Sequence, residues 1–572
     1  MAVRVSGISQ MSQVYRVVDR HVDRYAEINP VGATYAGIAG HDDRMTDYSP
    51  DGAGAMASLA KSTVSALDST PIAGSADRVA REAVLEDLTV QLQQYDAGDY
   101  LRDLNVIASP FQGIRQVFDL MPRESEAEWR NIATRLGLVP GALSGFITTL
   151  RKGMSDGLVA ARRQALECAQ QARVWSGEAG EPSYFQRLLD EFRRRPGPGR
   201  SAALERDLER GVAEANQAYA AAGRFLKDEY APRAATRDAV GRDRYALRAR
   251  AFCGMELDLA DTYRWGWDQL RDIEDRMRQT AERILPGQGL EAAKRHLETD
   301  PKRAIEGVDR FRGWMQEFVD RTIEDLARSH FEIPEPVKKI EAMIAPPGGA
   351  LAMYYTSPSE DFSRPGRMWW PVDGKTRFPL WEEITTVYHE GVPGHHFQIG
   401  YTVYLSERLS RYQRLLGGTS GHGEGWALYA ERLMGELGYL ENPDYYLGML
   451  AAQALRSVRV VIDIGMHLEL PIPSDSPFHP GERWTPEFGL QFAVEHSHAP
   501  ERFIRSEIDR YLGWPGQAIS YKVGERIWLG AREVARSRLG PRFDMRAFHT
   551  RALQLGPMGL AQLARELARG HD

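Results

Sequence analysis

Apolar residues return every three or four positions through most of this chain, and that periodicity constrains its fold more than any single motif does. Leu270, Ile273, Met277, Ala281 and Ile284, set among charged residues, mark one face of an amphipathic helix. Similar patterns run through about 11–40, 76–100, 140–175, 200–232 and 305–330, with breaks at PGPGR (196–200) and LPGQG (285–289). The exception is 338–373, where KKIEAMIAP, ALAMYYTSPS and GRMWWPV mix β-favouring residues with Pro, Gly and Ser turns, so that a few antiparallel strands are expected. From Pro379, a residue suited to the first turn of a helix, the helical pattern resumes and continues through 420–437, 445–470, 500–512, 516–537 and 545–569. The expected fold is mainly α, a large helical array with a small antiparallel β-sheet. Residues 1–335 form a helical amino-terminal region walling one side of a cleft, and 336–572 carry the sheet and the chemistry.

With 572 residues, 43% of them hydrophobic and 26% charged, the chain has ample material for packed cores. A formal charge of −7 disfavours a nucleic-acid groove, and Arg193, Arg194 and Arg195 read as a solvated helix end. Cys168 and Cys253 are too few and too far apart for a disulfide framework or a thiolate zinc cluster. No apolar run approaches the roughly 20 residues needed to span a bilayer, and the first twenty residues lack the apolar core of a signal peptide. A cytoplasmic protein without a membrane partner is expected; the oligomeric state is not legible.

The segment VYHEGVPGHHFQ (387–398) looks like a metal-binding helix interrupted in the middle. On a regular helix two histidines four residues apart share one face at about 6 Å. His395 instead falls about 240° around from His389, and His396, though nearly in phase, lies about 10.5 Å further along the axis. Neither could share an ion with His389 on a straight helix, because zinc–nitrogen bonds are only about 2.0–2.1 Å long. Pro393 cannot donate to the carbonyl of His389 and Gly394 tolerates unusual dihedrals, so the helix must bulge or break there. Two looped-out residues would carry His395 to the place of an i+4 histidine, which favours His395 over His396 as ligand while leaving both open.

A third ligand is expected from another helix, and GTSGHGEGWALYAERL (418–433) offers Glu424 near a helix start, where the dipole favours an ionised carboxylate. Glu431 reads as an outer or surface carboxylate, and His422 as a ligand or a cap. In LRSVRVVIDIGMH (455–467), Arg456, Arg459, Asp463 and His467 align along one stripe of an otherwise apolar helix. Asp463 is a candidate hydrogen-bond partner for a metal-binding histidine. Around a Pro-Gly turn, RYLGWPGQAISYKVG (510–524) sets Arg510, Tyr511, Tyr521 and Lys522; arginine suits a substrate carboxylate and tyrosine a developing oxyanion.

Together these segments resemble the bacterial family known as domain of unknown function 885. The resemblance rests on HEGVPGHH (389–396), EGWALYAERL (424–433), LRSVRVVIDIGMH (455–467), RYLGWPGQAISYKVGE (510–525), FDMRAFHTRALQLG (543–556) and the loop YYTSPSEDFSRPGR (354–367). It implies a largely helical protein similar to zinc-dependent carboxypeptidases and oligopeptidases, with a zincin-like cleft, one zinc on His389, His395 and Glu424, and Glu390 as base. LPIPSDSPFHPGERWTPEF (470–488) departs from the family pattern as a longer connection able to reshape one cleft wall.

The expected activity is hydrolysis of a peptide or related amide by water that Glu390 deprotonates, with Tyr521 at the oxyanion. His396 is placed with these two among the catalytic residues. Arg510, Tyr355, Arg456 and His467 are expected to face substrate, and 349–356 to pair with an extended substrate backbone. A small non-peptide amide or biosynthetic intermediate is the alternative substrate, and a binding protein with a structural metal the alternative class.

Overall fold

The computed structural model describes residues 12–194, 201–345, 353–372 and 374–569. The expected break at 196–200, Arg195 and part of the 349–356 strand lie outside them. Two compact units form: Met1–Val240 with Asp509–Trp514, and Gly241–Ile508 with Pro515–Asp572. Both are mainly α.

In the first unit, helices Glu126–Asp156 and Ala202–Arg224 pack side by side over a core that includes Phe111, Trp129, Phe146, Phe185 and Tyr219. Ser125 and Glu128 cap the first of these helices reciprocally: the Ser125 hydroxyl accepts from Glu128 N–H at 3.3 Å and the Glu128 carboxylate from Ser125 N–H at 2.7 Å.

The second unit begins near 241, well before the 335/336 boundary read from the sequence. Leu259–Ile284 packs along Pro443–Leu468, and Gly266 lies so close under Val460 that a Cβ there would stand 2.7 Å from its Cγ1. Periodicity reveals the apolar face of Leu270, Ile273 and Met277 but not its partner, which comes from nearly two hundred residues downstream.

Among the described residues there are five short strands: β1 (Ala304–Glu306), β2 (Ile340–Ile344), β3 (Tyr354–Thr356), β4 (Gly366–Trp370) and β5 (Arg377–Pro379). β1 and β5 pair antiparallel, and β4 is the centre of a sheet ordered β2-β4-β3. The sheet is mixed rather than antiparallel as expected, because β2 runs parallel to β4 with Ile340 opposite Gly366, while β3 runs antiparallel to it. A connection as long as 345–365 allows the crossover that parallel pairing needs.

The 470–488 segment buries Ile472, Phe478 and Trp484 in its unit while Asp475, Gly481, Glu482 and Arg483 stay exposed. Phe478 and Trp484 stack with ring centroids 5.8 Å apart and pack against Phe492, which Trp267 meets from the Leu259–Ile284 helix. Among the described residues no helix is long and apolar enough to cross a membrane.

Ser420–Glu436 is enclosed along its middle, with Trp426, Ala427, Leu428, Tyr429 and Ala430 all fully buried. It crosses Ser520–Leu539 at a pair of glycines, where a Cβ on Gly425 would stand 2.4 Å from the Gly524 Cα. Backbone contact this close admits no side chain. Gly524→Ala is expected to destabilise the fold by about 1–3 kcal/mol through overpacking, read as a lower denaturation midpoint with unchanged denaturant slope.

Candidate metal centre

The motif helix Leu380–Glu390 starts after Pro379, carries Glu382 and Glu383 in its first turn, and stops where Gly391 turns away. A second helix, His395–Tyr404, restarts four residues later, and the Val392–Pro393 peptide between them is cis. Gly394 N–H donates to Tyr388 O at 3.0 Å, six residues back, and His396 N–H to Gly391 O at 3.1 Å, five back. Two residues more than a regular turn are thus accommodated, the number the spacing of the histidines demands. A Cβ on Gly394 would stand 1.9 Å from His389 O and 2.4 Å from Tyr388 O, so only glycine permits this close approach. The carbonyls of Pro393 and Gly394 accept from the buried Trp426 indole N–H at 2.8 and 3.2 Å, which ties the break to the helix bearing Glu424.

This break sets the His389 and His395 rings edge to face, with centroids 4.8 Å apart. Their Nε2 atoms stand 3.5 and 3.2 Å from Glu424 Oε2, and one donor atom from each residue lies within 4.8 Å of the others. Bonds of about 2.0–2.1 Å in a tetrahedral arrangement place ligand atoms roughly 3.3 Å apart, close to those two separations. Glu424 Oε2 is buried and makes no hydrogen bond. A buried carboxylate oxygen with two imidazole nitrogens turned towards it fits a divalent cation.

Behind this trio stands Glu431, buried on the same helix as Glu424. Its Oε1 lies 2.7 Å from His389 Nδ1 and its Oε2 accepts from the Thr385 hydroxyl at 2.5 Å. That bond fixes the tautomer, leaving Nε2 of His389 to face Glu424. Burial opposes a proton on His389, but the carboxylates of Glu424 and Glu431 beside it outweigh that and lift the imidazole to about 9. Burial likewise opposes ionisation of Glu424 and Glu431, yet His395 and His389 draw Glu424 well below the usual carboxylate range, and His389 lowers Glu431. The cluster selects positive charge at its centre. Burial pushes the neighbouring Glu390 carboxyl up, against the partial relief of His389 and His395.

The other expected site residues are distributed differently. His396 donates from Nε2 to Val337 O at 2.7 Å, so its Nδ1 accepts from the Tyr355 hydroxyl at 3.0 Å, and burial lowers its pKa to about 4. The residue expected to be catalytic and the one expected to meet substrate are therefore bonded to each other, joining β3 to the helix that begins at His395. Asp463, expected behind a metal-binding histidine, instead accepts from the Tyr245 hydroxyl at 2.6 Å and Gly516 N–H at 3.0 Å; Glu431 occupies the expected role. His467, expected to face substrate, is fully buried beside Tyr245, with Nε2 3.8 Å from Asp463 Oδ1. Tyr521 lies under the guanidinium groups of Arg459 and Arg456, at 4.9 and 5.9 Å from its ring centre. Arg510 lies in the short stretch that joins the first unit, over the Tyr511 ring at 4.8 Å. His422 sits beside Gln398, with Nδ1 3.2 Å from the amide nitrogen, outside the trio.

Sequence reasoning left Thr385 and Trp426 without roles. A tryptophan two residues after a candidate ligand, on a helix with apolar residues on every side, is a signal that a buried indole N–H needs an acceptor.

A mainly α protein with a partly buried His–His–Glu cluster, its histidines on a broken helix and its glutamate on a second helix, is the class these observations define. The chain belongs to the DUF885 family, described as bacterial protein of unknown function, whose profile matches residues 30–567. Its fold is similar to the crystal structure of a Colwellia psychrerythraea protein provisionally named a lipoprotein, at 22% identity and a TM-score of 0.84, covering 97% of this chain and 98% of that one. A Shewanella oneidensis protein of unknown function, also provisionally named a lipoprotein, is similar at 16% identity and a TM-score of 0.73, covering 97% and 100%. No curated protein matches.

Two variants separate the cluster's parts. Glu431→Gln keeps all three trio residues but weakens the support of His389, and is expected to lower zinc affinity about 10–100-fold in a chelator competition. Gly394→Ala cannot keep the turn and is expected to lose more affinity than His396→Ala. Equal affinity in Gly394→Ala and the parent would show that the break does not place His395.

Proposed function

We propose that this protein is a zinc-dependent hydrolase of peptide or related amide bonds, holding one ion on His389, His395 and Glu424. The observation that carries the reading is a buried carboxyl, Glu390, adjacent in sequence to His389 and beside the trio, in a cluster that favours a cation. When bound, zinc supplies Lewis acidity and lowers the pKa of water from about 15.7 towards 7. Glu390 takes a proton from the attacking water on its carboxylate and passes it to the leaving amine; burial, by raising its carboxyl, makes it the better acceptor. Glu431 holds His389 by Nδ1, and Tyr521, its ring held against two guanidiniums, is the hydroxyl assigned to the developing oxyanion. His396 acts by position, through Val337 and Tyr355. The free, buried Cys168 and Cys253 accord with a reducing, cytoplasmic setting.

Metal analysis of the purified protein, followed by assay of peptides and small acyl-amides with and without chelator, tests this. About one zinc per chain is expected, with most of it lost in His389→Ala and in Glu424→Ala. Full occupancy in both variants would overturn the ligand set. Glu390→Gln should keep the metal and lose about 10²–10⁴-fold in turnover, and loss of zinc from that variant would make Glu390 a ligand instead. Chelator-sensitive cleavage confined to the small amides would move the substrate to the alternative class.

A further inference from the structure

The fold treats two neighbouring arginines of the Pro443–Leu468 helix differently. Arg459 is buried and donates from Nη2 to Glu507 Oε2 at 2.8 Å. Arg456, three residues earlier on the same face, has no carboxylate within ion-pair distance among the described residues. Its Nη1 reaches Ala452 O of its own helix at a long 3.3 Å, and its buried Nε has no hydrogen-bond partner. A guanidinium is a planar fork of five donors matched to a carboxylate, and burying its donors unused is costly.

The location gives this exception meaning. The Pro443–Leu468 helix packs against both Leu380–Glu390 and Ser420–Glu436, which carry the cluster, and the Arg456 charge bears on the carboxyls of Glu390 and Glu431. Glu390, Glu424 and Glu431 supply three carboxylates against the two positive charges of one ion, so an anionic substrate would be repelled without a further fixed cation. The Tyr521 ring, flanked by both arginines, limits where that guanidinium can lie.

We propose that Arg456 determines specificity by receiving a free carboxylate of the substrate, so that the site takes amides bearing a carboxylate beside the scissile bond. That chemistry is shared by the carboxy terminus of a peptide and by an acylated amino acid. The assignment rests on the hydrolase reading and narrows its substrate class.

The test uses the protein as purified and Arg456→Gln, with zinc content measured in both. Each is assayed with an acetylated amino-acid series and a pentapeptide, every compound prepared with a free carboxylate and with that carboxylate amidated. Binding of an acetylated amino acid and of its amide is measured by calorimetry. The parent is expected to prefer the free acid by roughly 10–100-fold in kcat/KM and to bind the acid more tightly than the amide. In Arg456→Gln, at unchanged zinc content, both preferences should fall to near one, and Arg456→Lys should restore part of them. The scaffold showing the larger acid preference separates the peptide terminus from the acylated amino acid. Equal handling of acid and amide by the parent overturns the proposal, as does an acid preference that survives in Arg456→Gln, since the carboxylate would then sit on the ion or elsewhere. If the acid binds preferentially through Arg456 while no amide is cleaved, the hydrolase reading fails and the carboxylate site stands.

Discussion

The arrangement of the site depends on one buried indole. Trp426 donates its N–H to the carbonyls of Pro393 and Gly394, in the stretch where the motif helix has stopped and the next has not begun. The Gly394 carbonyl also accepts from Gln398 N–H at 3.2 Å, whereas the Pro393 carbonyl has no backbone partner among the described residues, and leaving such a group unsatisfied in the interior costs about 1–3 kcal/mol. Trp426 also packs against Trp528, Phe397 and His549, so its ring has little freedom to follow a shifting loop. The bond spans the two elements that must meet: Glu424 lies two residues before Trp426, and His395 one residue after Gly394. Holding the break to this helix fixes the distance between the histidines and the carboxylate.

Electrostatics then gives the cluster its character. Taking ionised carboxylates out of water costs several kcal/mol per ion unless opposite charge compensates. Glu424 and Glu431 are both drawn to the ionised state by His389, which stands between them and is held far above the usual imidazole range. A proton on His389 meets this demand in the protein alone, and a divalent ion would meet it more fully. The bond from Glu431 and the close approach at Gly394 act on the same ring from opposite sides, one orienting it and the other bringing His395 to it.

Much of this was legible in the residues. The incompatibility of His389 and His395 with a straight helix, together with Pro393 and Gly394, required an interruption of about two residues, and the backbone bonds from Gly394 and His396 show that interruption. The position of the small sheet was legible from its β-branched and aromatic runs, but not the parallel pairing of β2 with β4, because strand direction depends on the path of the connection. Glu431 and Asp463 illustrate a sharper limit. Both are acidic residues on amphipathic helices, equally plausible as partners of a histidine, and the choice between them followed from which helix packs beside His389.

The sequence by itself determined that this chain is mainly α and that its motif helix breaks between Glu390 and His395, and it singled out His389, Glu390 and Glu424 as candidates, because periodicity, proline and glycine act over a few residues. The tertiary structure alone decided that Leu259–Ile284 belongs with the second unit, that His396 turns to Val337 and Tyr355 while His395 turns to Glu424, and that Arg459 has a carboxylate partner while Arg456 has none among the described residues. Each of those outcomes is set by a contact with a residue distant in sequence, and local spacing carries no information about which distant surface a side chain will meet.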